Sequence, residues 1–213
     1  MRIDFICLAN RYLKAVRCAL TLTVTCAALF TGVANAEGTP PKLMQIDTGI
    51  FRGVQPQPDD YPALKAAGIT TIVNLRWDKS VAQSKADAEA AGFKFVNVPI
   101  NAVEGPSAQD TQTVLQTLRD NKDKGVLFHC TLGRDRTGLM AALYRVLVQR
   151  KTPKEAYAEW TSFGFSNAFL KKLDADFFST LGIADPDAKL IRKAVATEAY
   201  ERKQLTCRAA FAG

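Results

Sequence analysis

The sequence predicts an α/β fold: a mostly parallel central sheet flanked by helices, with additional helices at the C-terminal end. Three observations carry this prediction. Short apolar runs such as "ITTIVNL" (69–75) and "GVLFHC" (125–130) alternate with longer helix-patterned segments, the mark of βαβ units. Those runs are rich in β-branched and apolar residues with little polar alternation, as strands covered on both faces are. Beyond Arg150 the pattern turns wholly helical.

Residues 1–36 stand apart from this domain. Arg11, Lys14 and Arg17 form a basic region, and "ALTLTVTCAALF" (19–30) is an apolar stretch too short to span a bilayer comfortably. "ANA" (34–36) is a small-residue cleavage site before Glu37. This is the pattern of an export signal, so a periplasmic or secreted protein is expected. Cleavage would leave no stable membrane insertion; an uncleaved anchor is the alternative. Residues 37–213 then form a single domain, with a core over about 44–150 and a helical part over 151–213.

After the linker "EGTPPK" (37–42), "LMQIDTGIFRG" reads as two short strands around Asp47-Thr48-Gly49. "DDYPALKAAG" starts acidic and ends on Gly68, as a helix does. "ITTIVNL" is the next strand, "KSVAQSKADAEAAG" an Ala-rich helix closed by Gly92, and "FKFVNV" another strand. "SAQDTQTVLQTLRD" opens with a capping-box pattern, Ser107 to Asp110, and places Val114, Leu115 and Leu118 on one face. "GVLFHC" and "TGLMAALYRVLVQ" complete the core. Thr152-Pro153-Lys154-Glu155 is a second capping box. The aromatics of "FGFSNAFLKKLDADFF" read as packing residues, and "DPDAKLIRKAVATEAYERKQL" as a charged, exposed helix.

The whole chain carries a net charge of +7. Without the four basic and one acidic residues of the export segment, 24 basic face 20 acidic residues, a surplus of +4. So modest a surplus, with no long basic run and no basic-aromatic interleaving, excludes nucleic acid as the expected partner. Three of the five cysteines leave with the segment. Cys130 and Cys207 are expected as free thiols, a disulfide between them being the alternative.

The chemistry concentrates in "VLFHCTLGRDRTG" (126–138). A strand, a tight turn and a helix make a phosphate cradle. Backbone N–H groups of Thr131, Leu132, Gly133, Arg134, Asp135 and Arg136 can form an anion nest, and the helix N-terminus adds its dipole. Gly133 supplies a backbone free of Cβ, and Arg136 can grip two phosphate oxygens through its planar fork. The same field would lower the pKa of Cys130 and make it a nucleophilic thiolate. Thr137 could donate a hydrogen bond to the sulfur. His129 precedes the nucleophile on a strand and points the other way, a buried hydrogen-bonding residue rather than a base.

Cys130, Gly133, Arg136, Thr137 and Gly138 spell His-Cys-x-x-Gly-x-x-Arg-Thr-Gly. This resembles the signature of the cysteine-dependent protein tyrosine and dual-specificity phosphatases. Over about 46–150, and in "GIFRGVQPQPDDYPALKAAGITTIVNLR" above all, the chain resembles their atypical bacterial and fungal dual-specificity group. The resemblance implies hydrolysis of phosphomonoesters through a phosphocysteine, with neither metal nor organic cofactor. It also implies an acidic aspartate some thirty residues before the cysteine. Here that region reads "VPINAVEGPSAQD", and Asn101 stands where the acid is expected. The candidates for the proton donor are Asp135, Glu104, Asp110 and Asp78. Asp135 leads, because Asp-Arg-Thr resembles the loop of myotubularin-type and Sac-type phosphoinositide phosphatases; its other reading is a charge partner of Arg134. Arg76 could touch a second phosphate or be a surface charge.

Two classes of function follow. One is an exported phosphatase acting on phosphoproteins, with phosphorylated inositols or lipids as alternative substrates. The other is a phosphate-binding module without turnover.

Overall fold

The computed structural model describes residues 43–165 and 170–210. The expected export segment, Phe169 and the thiol of Cys207 lie outside the described residues. One five-stranded sheet has the order β1-β2-β5-β3-β4, with β1 at Met44–Asp47, β2 at Ile50–Gly53, β3 at Thr71–Asn74, β4 at Lys94–Asn97 and β5 at Val126–His129. Only β1 and β2 pair antiparallel; the other neighbours run parallel, as the sequence predicts. The described helices are α1 (Tyr61–Ala66), α2 (Val81–Ala90), α3 (Ala108–Asn121), α4 (Arg136–Leu147), α5 (Pro153–Ser162), α6 (Lys171–Thr180) and α7 (Asp185–Ala210).

Both faces of β5 are buried, which explains its unbroken apolar sequence. Val126 and Phe128 enter the larger core with Val73, Leu139, Leu143 and Trp160. Leu127 enters a smaller one with Leu64, Ile69, Ile72 and Phe93, under α1 and α2. The turn joining β1 to β2 needs Gly49 at φ +66, since a Cβ there would sit 1.6 Å from the Lys122 carbonyl oxygen. That close approach ties the hairpin to the segment entering β5.

Both capping boxes form. The Asp110 amide donates to Ser107 Oγ at 3.0 Å, and the Ser107 amide to Asp110 Oδ2 at 2.9 Å. Thr152 and Glu155 repeat the exchange at the start of α5, with Pro153 in the first turn. Caps of this kind are worth about 1 kcal/mol each. Helix α4 is buried from Thr137 to Arg145 and packs against α3, α5 and α6. A helix enclosed on every side can hold a charge inside only with partners. Arg145 has them: Glu159 at 2.9 Å and the Ile46 carbonyl at 2.7 Å.

The C-terminal helix is mostly exposed, as its charged sequence suggests, and docks through the buried Ala188 and Val195. Arg192 lies over the Phe178 ring at 4.4 Å and donates to Asp174 Oδ2 at 2.8 Å. Asp174 also accepts from the Tyr157 hydroxyl at 2.6 Å, so the buried carboxylate is satisfied by both neighbours. The aromatic segment behaves as packing residues at Phe165, Phe177 and Phe178, whereas Phe163 is 39% exposed.

Candidate active site

β5 is the middle strand of the sheet, and the register places Gly53 of β2 and Asn74 of β3 on either side of His129. Cys130 therefore emerges at the C-terminal edge of three adjacent parallel strands, the usual place for a crevice in such sheets. The turn spans the six residues 130–135, one residue earlier at each end than the sequence suggests, and Asp135 is the N-cap of α4.

Gly133 makes the turn possible. Its φ is +66, and a Cβ would lie 2.4 Å from the Gly53 carbonyl oxygen. The loop thus rests directly on the end of β2, where the Gln55 amide also donates to the Thr131 carbonyl at 3.2 Å. Gly138 is needed for a second close approach: a Cβ there would meet Trp160 Cδ1 at 2.2 Å. Trp160, from α5, uses its indole N–H to hold the Arg134 carbonyl at 3.1 Å.

Cys130 is a free thiol, 2% exposed, at the floor of this turn. Burial pushes the thiol up, but other groups outweigh it. The Thr137 hydroxyl and backbone N–H, the Arg136 charge and the Gly133 N–H all favour the thiolate, and the pKa falls below the ordinary value. The Thr137 hydroxyl is buried and makes no well-aligned hydrogen bond elsewhere, which leaves it for the sulfur. Arg136 is held from behind: its Nη1 donates to the Ile100 carbonyl at 3.2 Å and to the Leu75 carbonyl at 3.4 Å. Its Nη2 lies 3.5 Å from Thr131 Oγ1. Two carbonyls from the strand ends thereby fix the plane of the fork. Leu132, at the tip, is 60% exposed.

His129 is 1% exposed, with Nδ1 2.9 Å from the Cys130 carbonyl oxygen. Burial, with smaller repulsions from Arg76 and Arg136, brings its pKa down to about 4 against the pull of that carbonyl. The ring is neutral and its Nδ1–H is the donor, since a carbonyl can only accept.

The carboxylates separate by geometry. Asp135 faces Arg134, whose Nε and Nη2 donate to its two oxygens at 3.1 and 3.4 Å. Asp110 is occupied as the cap of α3. Asp78 takes both arms of Arg76 at 2.8 and 2.9 Å, so that arginine is committed to a carboxylate. Hydrogen bonds from Ser80, then Arg76, bring Asp78 down to about 2. Glu104 is exposed in the turn closed by the bridge between Asn101 and Gly105. The Asn101 side chain accepts from the Val103 amide at 2.9 Å and so shapes that turn.

Sequence reasoning missed Arg52. It sits on β2, 2% exposed, and donates from Nη2 to the Gly133 carbonyl at 2.7 Å. Burial, above all, lowers its pKa to about 10. The signal was present: Arg52 shares a strand face with Ile50, which is fully buried. The position of Trp160 over Gly138 likewise lies beyond any local pattern.

A buried thiol of lowered pKa in an arginine-bearing turn at this sheet edge defines a class, the cysteine-dependent phosphatases. Comparison with known proteins agrees. Residues 46–150 match the family model described as "Polymorphic toxin system, DSP-PTPase phosphatase". The chain is 25% identical over 151 residues to the dual specificity protein phosphatase TpbA of Pseudomonas aeruginosa, covering 67% of each chain. It is 26% identical over 133 residues to the inositol diphosphatase DSP4 of Arabidopsis thaliana, covering 61% of this chain and 67% of that protein. The fold matches the crystal structure of TpbA in complex with pTyr at a TM-score of 0.56 and 23% identity, over 72% of this chain and 90% of that one. It matches the core catalytic domain of the PP-IP phosphatase SIW14 from S. cerevisiae at 0.57 and 20% identity, over 73% and 93%. Over residues 46–150 the chain matches the cysteine-dependent dual-specificity phosphatase-like group. It is a phosphoric monoester hydrolase.

Proposed function

We propose that this phosphatase hydrolyses phosphotyrosine-type phosphomonoesters through a phosphocysteine, outside the cytoplasm. The observation that carries the chemistry is Cys130: buried, free, and brought below its ordinary pKa by Thr137, Arg136 and Gly133 despite that burial. In the first step the Cys130 thiolate attacks phosphorus in line. The P–O bond to the leaving group breaks, and the departing oxygen takes a proton from Asp135. Backbone N–H groups of residues 131–136 and the Arg136 fork hold the equatorial oxygens, where charge spreads in the transition state. In the second step Asp135 takes a proton from water, whose oxygen attacks phosphorus. Sulfur leaves as a thiolate stabilised by Thr137, and inorganic phosphate departs. Arg134 orients the Asp135 carboxylate for both transfers. The export proposal rests on the basic region, apolar stretch and "ANA" site within residues 1–36.

A second substrate reading, a phosphorylated inositol, is favoured by the similarity to DSP4 and by Arg134, whose side chain is 43% exposed beside the nest. One experiment separates the readings and tests the acid. It measures kcat/KM on a phosphotyrosyl peptide, an inositol polyphosphate and a nitrophenyl phosphate, for the parent, Asp135→Asn and Glu104→Gln. The parent should prefer the peptide to the inositol; the reverse preference installs the second reading. Asp135→Asn should slow the inositol substrate on the order of a hundredfold, because an alkoxide leaves poorly without a proton. It should slow the nitrophenyl ester far less, and Glu104→Gln should be mild on all three. The opposite ranking of the two variants moves the acid to Glu104. Equal losses on every substrate would make Asp135 structural.

A further inference from the structure

Arg52 has no role in the mechanism above, yet its surroundings are unusual. It is buried on β2, and among the described residues no carboxylate pairs with it. The charged groups that face it are Glu159 on α5, Cys130 in the turn after β5 and Arg145 on α4. Glu159 is already gripped by Arg145. The Phe163 ring covers the guanidinium at 4.2 Å, and Nη1 is buried with no hydrogen-bond partner. A buried cation without a counter-ion is costly. Beyond Glu159, which Arg145 already engages, the anions this site can offer are the Cys130 thiolate and a bound phosphoryl group.

Geometry gives Arg52 a second task. Its Nη2 pulls the Gly133 carbonyl outward, towards β2. In a trans peptide the carbonyl and the following N–H point in opposite directions. Fixing the Gly133 oxygen outward therefore turns the Arg134 N–H inward, into the nest. Glycine at φ +66 has little intrinsic preference for this orientation, so something else must hold the plane. Trp160 does the same for the next carbonyl, that of Arg134.

We propose that Arg52 is a positioning residue for the phosphate loop: it holds the Gly133–Arg134 peptide plane with its N–H facing the substrate, and it lends buried positive charge to the anionic site. The proposal rests on the thiolate mechanism above, but its principal readout, alkylation of Cys130, requires no turnover and so fails independently of the substrate assignment.

The test uses Arg52→Met, Arg52→Gln and Arg52→Lys in the full chain. Three quantities are read: kcat and KM on nitrophenyl phosphate, inhibition by inorganic phosphate, and the pH midpoint of iodoacetamide alkylation of Cys130. Arg52→Met should lose on the order of a hundredfold in kcat/KM, bind phosphate more weakly, and alkylate with a midpoint moved up. Arg52→Lys should bring the midpoint back towards the parent. Arg52→Gln, which keeps a donor but no charge, should recover phosphate binding more than the midpoint. A folded Arg52→Met with parent-like kcat/KM and midpoint overturns the proposal, even if its melting temperature falls. Should Arg52→Met not fold, the Gln and Lys variants decide: a raised midpoint in Gln alone supports the proposal, and parent-like midpoints in both overturn it.

Discussion

Cys130→Ser should lower kcat about ten-thousandfold or more, the scale of losing a nucleophile, while inorganic phosphate still binds. The substitution separates the two halves of the site. In the proposed mechanism phosphate is held by backbone N–H groups of the turn and by Arg136, none of which the substitution removes. Turnover needs an anionic sulfur, which a set of hydrogen bonds and the Arg136 charge stabilise, with the buried Arg52 charge nearby. The same set cannot ionise an aliphatic hydroxyl, whose proton is held far more tightly. The change of sulfur to oxygen is also small enough for a floor packed among Gly133, Arg136 and Thr137. Kinetics on nitrophenyl phosphate and calorimetric titration with phosphate check both parts. Activity surviving within about tenfold of the parent would remove Cys130 from the mechanism.

Arg136→Lys should be the next most damaging change, costing roughly a hundred- to a thousandfold in kcat/KM. Lysine keeps the charge but not the fork. In the structure one nitrogen of the guanidinium is committed to the Ile100 and Leu75 carbonyls, which fixes the plane and leaves the rest of the group for substrate. An ammonium has one nitrogen and must choose between those carbonyls and the phosphate. The loss should therefore appear in kcat more than in KM, because the two-pronged grip is strongest on the spread charge of the transition state. A variant within about threefold of the parent would show that a point charge suffices there.

What the sequence revealed about this site follows from chain separation. Cys130, Gly133, Arg136 and Thr137 are contiguous, and a strand, a turn and a helix that share one short segment can be placed from local pattern. The parallel direction of β3, β4 and β5 was legible for the same reason: each strand feeds a helix that must cross a face of the sheet. Contacts across long intervals were not. Arg52 reaches Gly133 over 81 positions, and Trp160 reaches Arg134 over 26; nothing local in either stretch points to the loop. The C-terminal helix was legible as charged and mostly exposed, but its docking stripe of Ala188, Ile191 and Val195 was not singled out, although these recur at helical spacing. The Ser107–Asp110 cap was legible as a local pattern, whereas the pairing of Asp78 with Arg76 became visible only in the structure.

The central claim is that Cys130 carries the phosphoryl group between two chemical steps. Its most direct test is a rapid-quench single turnover of the parent and of Asp135→Asn, with acid stopping the reaction and peptide mass analysis following. The account predicts a phosphoryl adduct on the peptide that contains Cys130, appearing before free phosphate and decaying into it, and persisting longer in Asp135→Asn because that residue activates the second-step water. Release of phosphate at the parent's full rate with no adduct on Cys130 at any time would contradict it.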